Sequence, residues 1–144
     1  MTTDISTNRA FARKWNEELF QKRNLDAIDE MVAPNAVLNQ AGSPNPLYGP
    51  GDVRKWAEGL FTAFPDMKVQ IEDIVADEQQ VAVHFVASGT HEGEFMGIPA
   101  TGQTITIHGT SFQRIEDGRV VEEWEVVDLL GLLRQLGVIE APAG

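Results

Sequence analysis

The sequence predicts an α+β fold, a curved antiparallel sheet forming a cone around N-terminal helices. Three observations carry that expectation. Apolar residues recur at helical spacing in the first half, strand-like patterning runs from Met67 to Val127, and Asp117-Gly118 marks a hairpin between two long runs. Helices first and strands after segregate into two layers, and a sheet curled around its helices leaves a concave apolar pocket.

Phe11, Trp15 and Leu19 stand four apart and predict a helix over 7–22. Asn24-Leu25-Asp26 interrupts it, and 25–32 makes a second short helix ended by Pro34. Residues 36–39 form a short strand, followed by a loop over 40–48 rich in Gly, Ser, Pro and Asn. Pro50-Gly51-Asp52 opens the clearest helix. Its Val53, Trp56, Ala57, Leu60, Phe61 and Phe64 make one apolar stripe, and Pro65-Asp66 ends it. Val69, Ile71 and Ile74 mark the next strand. In another, Val81, Val83, Phe85 and Ala87 alternate with Ala82, His84 and Val86. Phe95 and Met96 lie in a loop-strand stretch over 93–101. Strands over 104–114 and 119–127 flank the Asp117-Gly118 turn, and a last helix over 128–136 stops at Gly137. The whole chain, 1–144, reads as one domain with an ordered core over about 5–137 and a tail over 138–144 that ends in the frayed Ala141-Pro142-Ala143-Gly144.

Composition narrows the function. A formal charge of -11 argues against nucleic acid, which needs basic surface. No apolar run approaches the ~20 residues of a membrane span, and Met1-Thr2-Thr3-Asp4-Ile5 lacks the regions of a signal peptide. With no cysteine there is no disulfide framework and no thiolate metal site, which points weakly to the cytoplasm. The three histidines show neither His-x-His nor His-Glu-x-x-His spacing, so no metal is expected.

The chemistry concentrates in the last third. Glu122, Glu123 and Glu125 crowd around Trp124, and Asp128 follows where the strand runs out. A carboxylate beside an aromatic ring gains a raised pKa and becomes a general base at neutral pH. Against this, Glu122 and Glu123 read as solvated, and Asp128 reads as the cap of the last helix. His84 reads as a surface strand residue, while His108 and His91 are open between site and surface.

Phe64-Pro65-Asp66, the block Gly89-Thr-His-Glu-Gly-Glu-Phe-Met-Gly-Ile-Pro-Ala-Thr-Gly102, and the stretch from Glu123 to Gly137 together resemble the SnoaL-like polyketide (ester) cyclases over nearly the whole chain. The resemblance implies the cone fold shared with nuclear transport factor 2, ketosteroid isomerase and scytalone dehydratase. It also implies cofactor-independent acid/base chemistry on a hydrophobic, enolisable carbonyl compound, and homodimers formed sheet to sheet. Carried over by position, the catalytic carboxylate falls on Glu125, where the family more often has Asp. The Gly-x-His histidine falls on His91, an Asn after the first strand on Asn39, and an aromatic of the first helix on Trp15. Where the cyclases carry a histidine before the Asp-Gly turn, this chain has Ser111, and its nearest histidine is His108.

Two hairpin geometries assign the faces differently. A three-residue turn with a bulge puts Ser111, Glu123 and Glu125 on one face and His108, Trp124 and Asp128 on the other. A two-residue turn puts His108 with Glu123 and Glu125, and Trp124 with Ser111. The former fits the resemblance better. The enzyme reading makes Glu125 the general base, Asp128 or His108 a second acid, and Asn39, His91, Trp15, Ser111 and Trp124 the residues around the substrate. The alternative is a non-catalytic ligand-binding or dimerisation module, favoured by the serine at 111.

Overall fold

The computed structural model describes residues 4–140, so the expected frayed end over 141–144 lies outside the described residues. The order of elements is α1 (Ile5–Asn16), a π-helical turn (Glu17–Gln21), α2 (Ala27–Met31), β1 (Val32–Gln40), β2 (Leu47–Tyr48), α3 (Gly49–Ala63), β3 (Lys68–Ala76), β4 (Gln80–Thr90), β5 (Thr104–Glu116), β6 (Arg119–Val127) and α4 (Leu129–Gln135). None of these helices is long and apolar enough to cross a membrane.

Asp4 caps α1 by accepting the Thr7 N–H at 2.7 Å, and Phe11 and Ala12 turn its apolar side inward. The helix does not continue regularly to Lys22. Wider hydrogen bonds, such as Lys22 N–H to the Glu17 carbonyl at 2.8 Å, let Leu19 enter the core while Phe20 packs beside Trp56 and Phe61. The second helix is shorter than its pattern suggests. Val32 is already extended and pairs with Val120, so the first strand begins four residues ahead of the expected 36. In α3, Val53 and Ala57 are fully buried and Trp56, Leu60 and Phe61 pack at the edge of the core.

The six strands form one sheet in the order β2-β1-β6-β5-β4-β3. From β3 to β6 it is antiparallel, as expected, but β1 pairs with β6 in parallel, which makes the sheet mixed. The helices cover the concave face. One apolar cluster joins α1, the π-helical turn, α2 and α3 to the sheet through Phe11, Leu19, Ile28, Val53, Val81 and Val120. A second joins α4 to the other end through Ile105, Ile107, Leu132 and Leu136.

The β5–β6 hairpin settles which side chains face the helices. Its loop is the two-residue Asp117-Gly118, with φ of 52° and 76° at the two positions and Glu116 opposite Arg119. Left alone, that turn would place Trp124 on the concave face. A bulge intervenes: Ile115 pairs with Val120 but Arg114 pairs with Glu122, so Val121 is the extra residue. Beyond it Ser111 stands opposite Glu125, and Gln113 opposite Glu123. The turn is of one expected kind and the facing of the other.

Candidate functional site

Ser111, Gln113, Glu123 and Glu125 occupy alternate positions of two neighbouring strands, so their side chains share the concave face. They form one wall of a cavity of about 390 Å³. Opposite them stand Ala12, Trp15 and Asn16 of α1, Phe20 of the π-helical turn, Trp56 and Leu60 of α3, and Phe64 just after it. Val83 and Phe85 on β4, and Val69 and Ile71 on β3, line the rest of the sheet side. Leu129 and Leu132 of α4 and the loop from Gln40 to Pro44 complete the enclosure. The lining is apolar apart from the four-residue wall and a few neutral polar groups.

Glu123 is 4% exposed, and Gln113 Nε2 donates to its Oε1 at 2.9 Å. Loss of water raises its pKa from 4.5 to about 7, with the Gln113 hydrogen bond pulling the other way. Glu125 is half-buried, and its carboxyl has no hydrogen-bond partner among the described residues. Desolvation, reinforced by the charge of Glu123, raises its pKa from 4.5 to about 8. A carboxyl in that range exchanges protons at neutral pH, which a solvated one held near 4.5 does poorly.

Among the other residues singled out in the sequence, Trp15 and Ser111 line the cavity. Asn39 stands behind the wall on β1, its Nδ2 donating to the main-chain carbonyl of Glu123 at 3.2 Å. It holds the carboxylate strand and is not itself among the lining residues. His91 is fully buried but outside the lining. Its Nδ1 accepts the Thr101 N–H at 3.2 Å and lies 3.0 Å from Thr101 Oγ1, with the ring 5.4 Å from that of Phe64. There it ties the two ends of the 91–101 loop together.

Besides Asn39 and His91, three further candidates are not brought to the cavity. His108 points to the convex face by alternation from Ser111 along β5, and Trp124 does so because the bulge shifts the parity of β6. His108 stacks on His84 with Nδ1 and Nε2 3.0 Å apart, and Trp124 is 57% exposed. Asp128 is exposed and caps α4, accepting the Gly131 N–H at 2.9 Å. Conversely, Glu123 was expected at the surface and lies inside. Gln113 and Asn16 carried no signal of their own, although alternation from Ser111 and Glu125 places Gln113 and Glu123 once the faces are known. Asn16 is buried, its Nδ2 donates to the Val69 carbonyl at 3.2 Å, and its Oδ1 is unpartnered among the described residues.

Comparison with known proteins agrees with this architecture. The nogalonic acid methyl ester cyclase of Streptomyces nogalater is 27% identical over 124 residues, covering 82% of this chain and 89% of that protein. The structure of IdmH from Streptomyces antibioticus, assigned to the polyketide cyclases, is 34% identical with a TM-score of 0.71, covering 83% of this chain and 91% of that one. A SnoaL-like protein from Jannaschia sp. CCS1 is 20% identical yet superposes with a TM-score of 0.86 over 99% of this chain and 98% of its own, which shows the shared fold. The sequence profile of the SnoaL-like polyketide cyclases matches residues 10–136. The chain belongs to the SnoaL-like polyketide cyclase family.

Proposed function

We propose that the protein is an ester-cyclase-type enzyme that closes a ring in a hydrophobic polyketide by intramolecular aldol addition. The observation that carries this reading is Glu125, a carboxyl without a hydrogen-bond partner among the described residues, on the wall of an apolar cavity. In the proposed reaction Glu125 takes a proton from the carbon beside a carbonyl. The resulting enolate carbon bonds to a second carbonyl carbon, whose oxygen becomes an alkoxide and takes a proton back. Atoms and electrons balance within the substrate, so the step as written calls for no cofactor. Trp15, Trp56 and Phe85 supply apolar walls for flat rings, and Ser111 supplies a hydroxyl beside Glu125.

The methyl esters of nogalonic and aklanonic acid, named for relatives of this chain, are the first substrates to try. Ring closure leaves the mass unchanged, so it is followed by chromatography and absorbance. The native protein is expected to consume at least one ester. Glu125→Gln keeps the shape, removes the base, and is expected to lower turnover ~10²-fold or more. Undiminished turnover in that variant would take Glu125 out of the mechanism.

A second reading, a ligand-carrying module, is favoured by Ser111 at the cyclase histidine position. Binding of the esters without consumption would support it. We also propose a homodimer formed through the convex face of the sheet, where Phe112, Trp124 and Val126 lie exposed side by side.

A further inference from the structure

We propose that Glu123 and Glu125 share a single proton, so that the resting site holds an acid and a base in the same wall. This deepens the cyclase reading and rests on it for the chemistry, though not for the proton itself. The two residues are two apart on β6, about 7 Å along one face of the strand. Both line the same apolar cavity. The groups that line the cavity with them are neutral: Ser111 and Gln113 from β5, Gln40 from β1 opposite Glu125, Trp15 from α1, Trp56 from α3, Phe85 from β4 and Leu129 from α4. No other charged or titratable side chain lines the cavity among the described residues.

Two negative charges in such a space have no cation to offset them, and one proton between them removes the repulsion. The directions of the individual shifts agree, since both carboxyls are raised and Glu125 is raised in part by Glu123. Gln113 gives the pair its asymmetry. Its amide donates to Glu123 and favours charge there, which leaves the proton toward Glu125 in the empty cavity. Transfer of that proton to Glu123 frees Glu125 as the base. Glu123–H then stands in the same wall as a donor for the alkoxide, a task for which this chain has no histidine at 111. The proton taken from carbon and the proton given to oxygen are balanced within the pair, with none drawn from bulk water.

The test needs no substrate. The whole protein, labelled with ¹³C at the glutamate side-chain carboxyls, is titrated by NMR from pH 4 to 10, about the range spanned by ordinary and raised carboxyl pKa values. Glu123→Gln and Glu125→Gln provide the assignments. In the native protein, two carboxyl signals are expected to move together through two separate steps, the upper one in the neutral to alkaline range. In Glu123→Gln the remaining Glu125 is expected to titrate in one step, about one pH unit or more below that upper step. Independent titration of both groups at ordinary values in the native protein would overturn the proposal without any variant. So would a Glu125 curve unmoved by Glu123→Gln. Because turnover is not read, a cyclase with unshared protons and a proton-sharing site without cyclase activity remain distinguishable.

Discussion

At the scale of single residues, the carboxyls of Glu123 and Glu125 set a dependence of stability on pH. Unfolded, each ionises near 4.5; folded, they hold protons up to about 7 and about 8. Below about pH 4.5 both are protonated in either state, and these two groups cost the native fold nothing. As pH rises toward 8 the unfolded chain releases protons that the native protein retains, so stability falls across that window. Glu125→Gln removes part of this effect. The variant is expected to match the native protein near pH 5 and to exceed it by on the order of 2 kcal/mol at pH 8. Urea unfolding at the two pH values checks it, and a variant no better at pH 8 than at pH 5 would argue that the carboxyl is solvated. Glu125 was legible because a family pattern marks its position. Glu123 was not, because a glutamate with no visible partner is assigned to the surface. The partner that keeps it inside, Gln113, lies ten residues earlier across a turn.

At the scale of elements, the long helix α3 and the four antiparallel strands were legible from periodicity together with the proline and Asp117-Gly118 turn signals, and the boundaries that shifted lie where tertiary pairing overrides them. Val32 left the second helix for the sheet because β6 offers it a hydrogen-bonded neighbour, which no local pattern displays. The bulge at Val121 was equally silent, and it decides whether a glutamate or a tryptophan faces the cavity. Asp128 gives a clean test of a structural role. As the cap of α4 it holds a helix of seven residues, so Asp128→Ala is expected to lower stability by about 1 kcal/mol. If the protein turns over a substrate as proposed, the pH dependence of turnover should stay as in the native protein. A displaced pH profile would return Asp128 to the chemistry.

At the scale of the whole molecule, the sheet has one face covered by helices and another in water. The convex face carries Phe112, Trp124 and Val126, exposed apolar groups gathered on neighbouring strands of a chain of formal charge -11. A second copy is the expected cover, burying on the order of 1,600 Å² in total. Sedimentation equilibrium at micromolar concentration reads the mass directly, and Trp124→Glu is expected to shift it toward the 15.8 kDa monomer. A native protein already at that mass would sink the dimer. The pairing of β1 with β6 has a further consequence, for the order in which the molecule is made. The strand bearing the carboxylates is clamped from one side by β5, its immediate neighbour in the chain. From the other side β1 holds it, with Asn39 reaching the Glu123 carbonyl across 84 residues of sequence. During synthesis β1 emerges early and waits, its inner edge unpaired, until the last third of the chain arrives. Closure of that long loop makes the acid wall a late event in folding, and a chain stalled before residue 119 would present a bare strand edge to its neighbours.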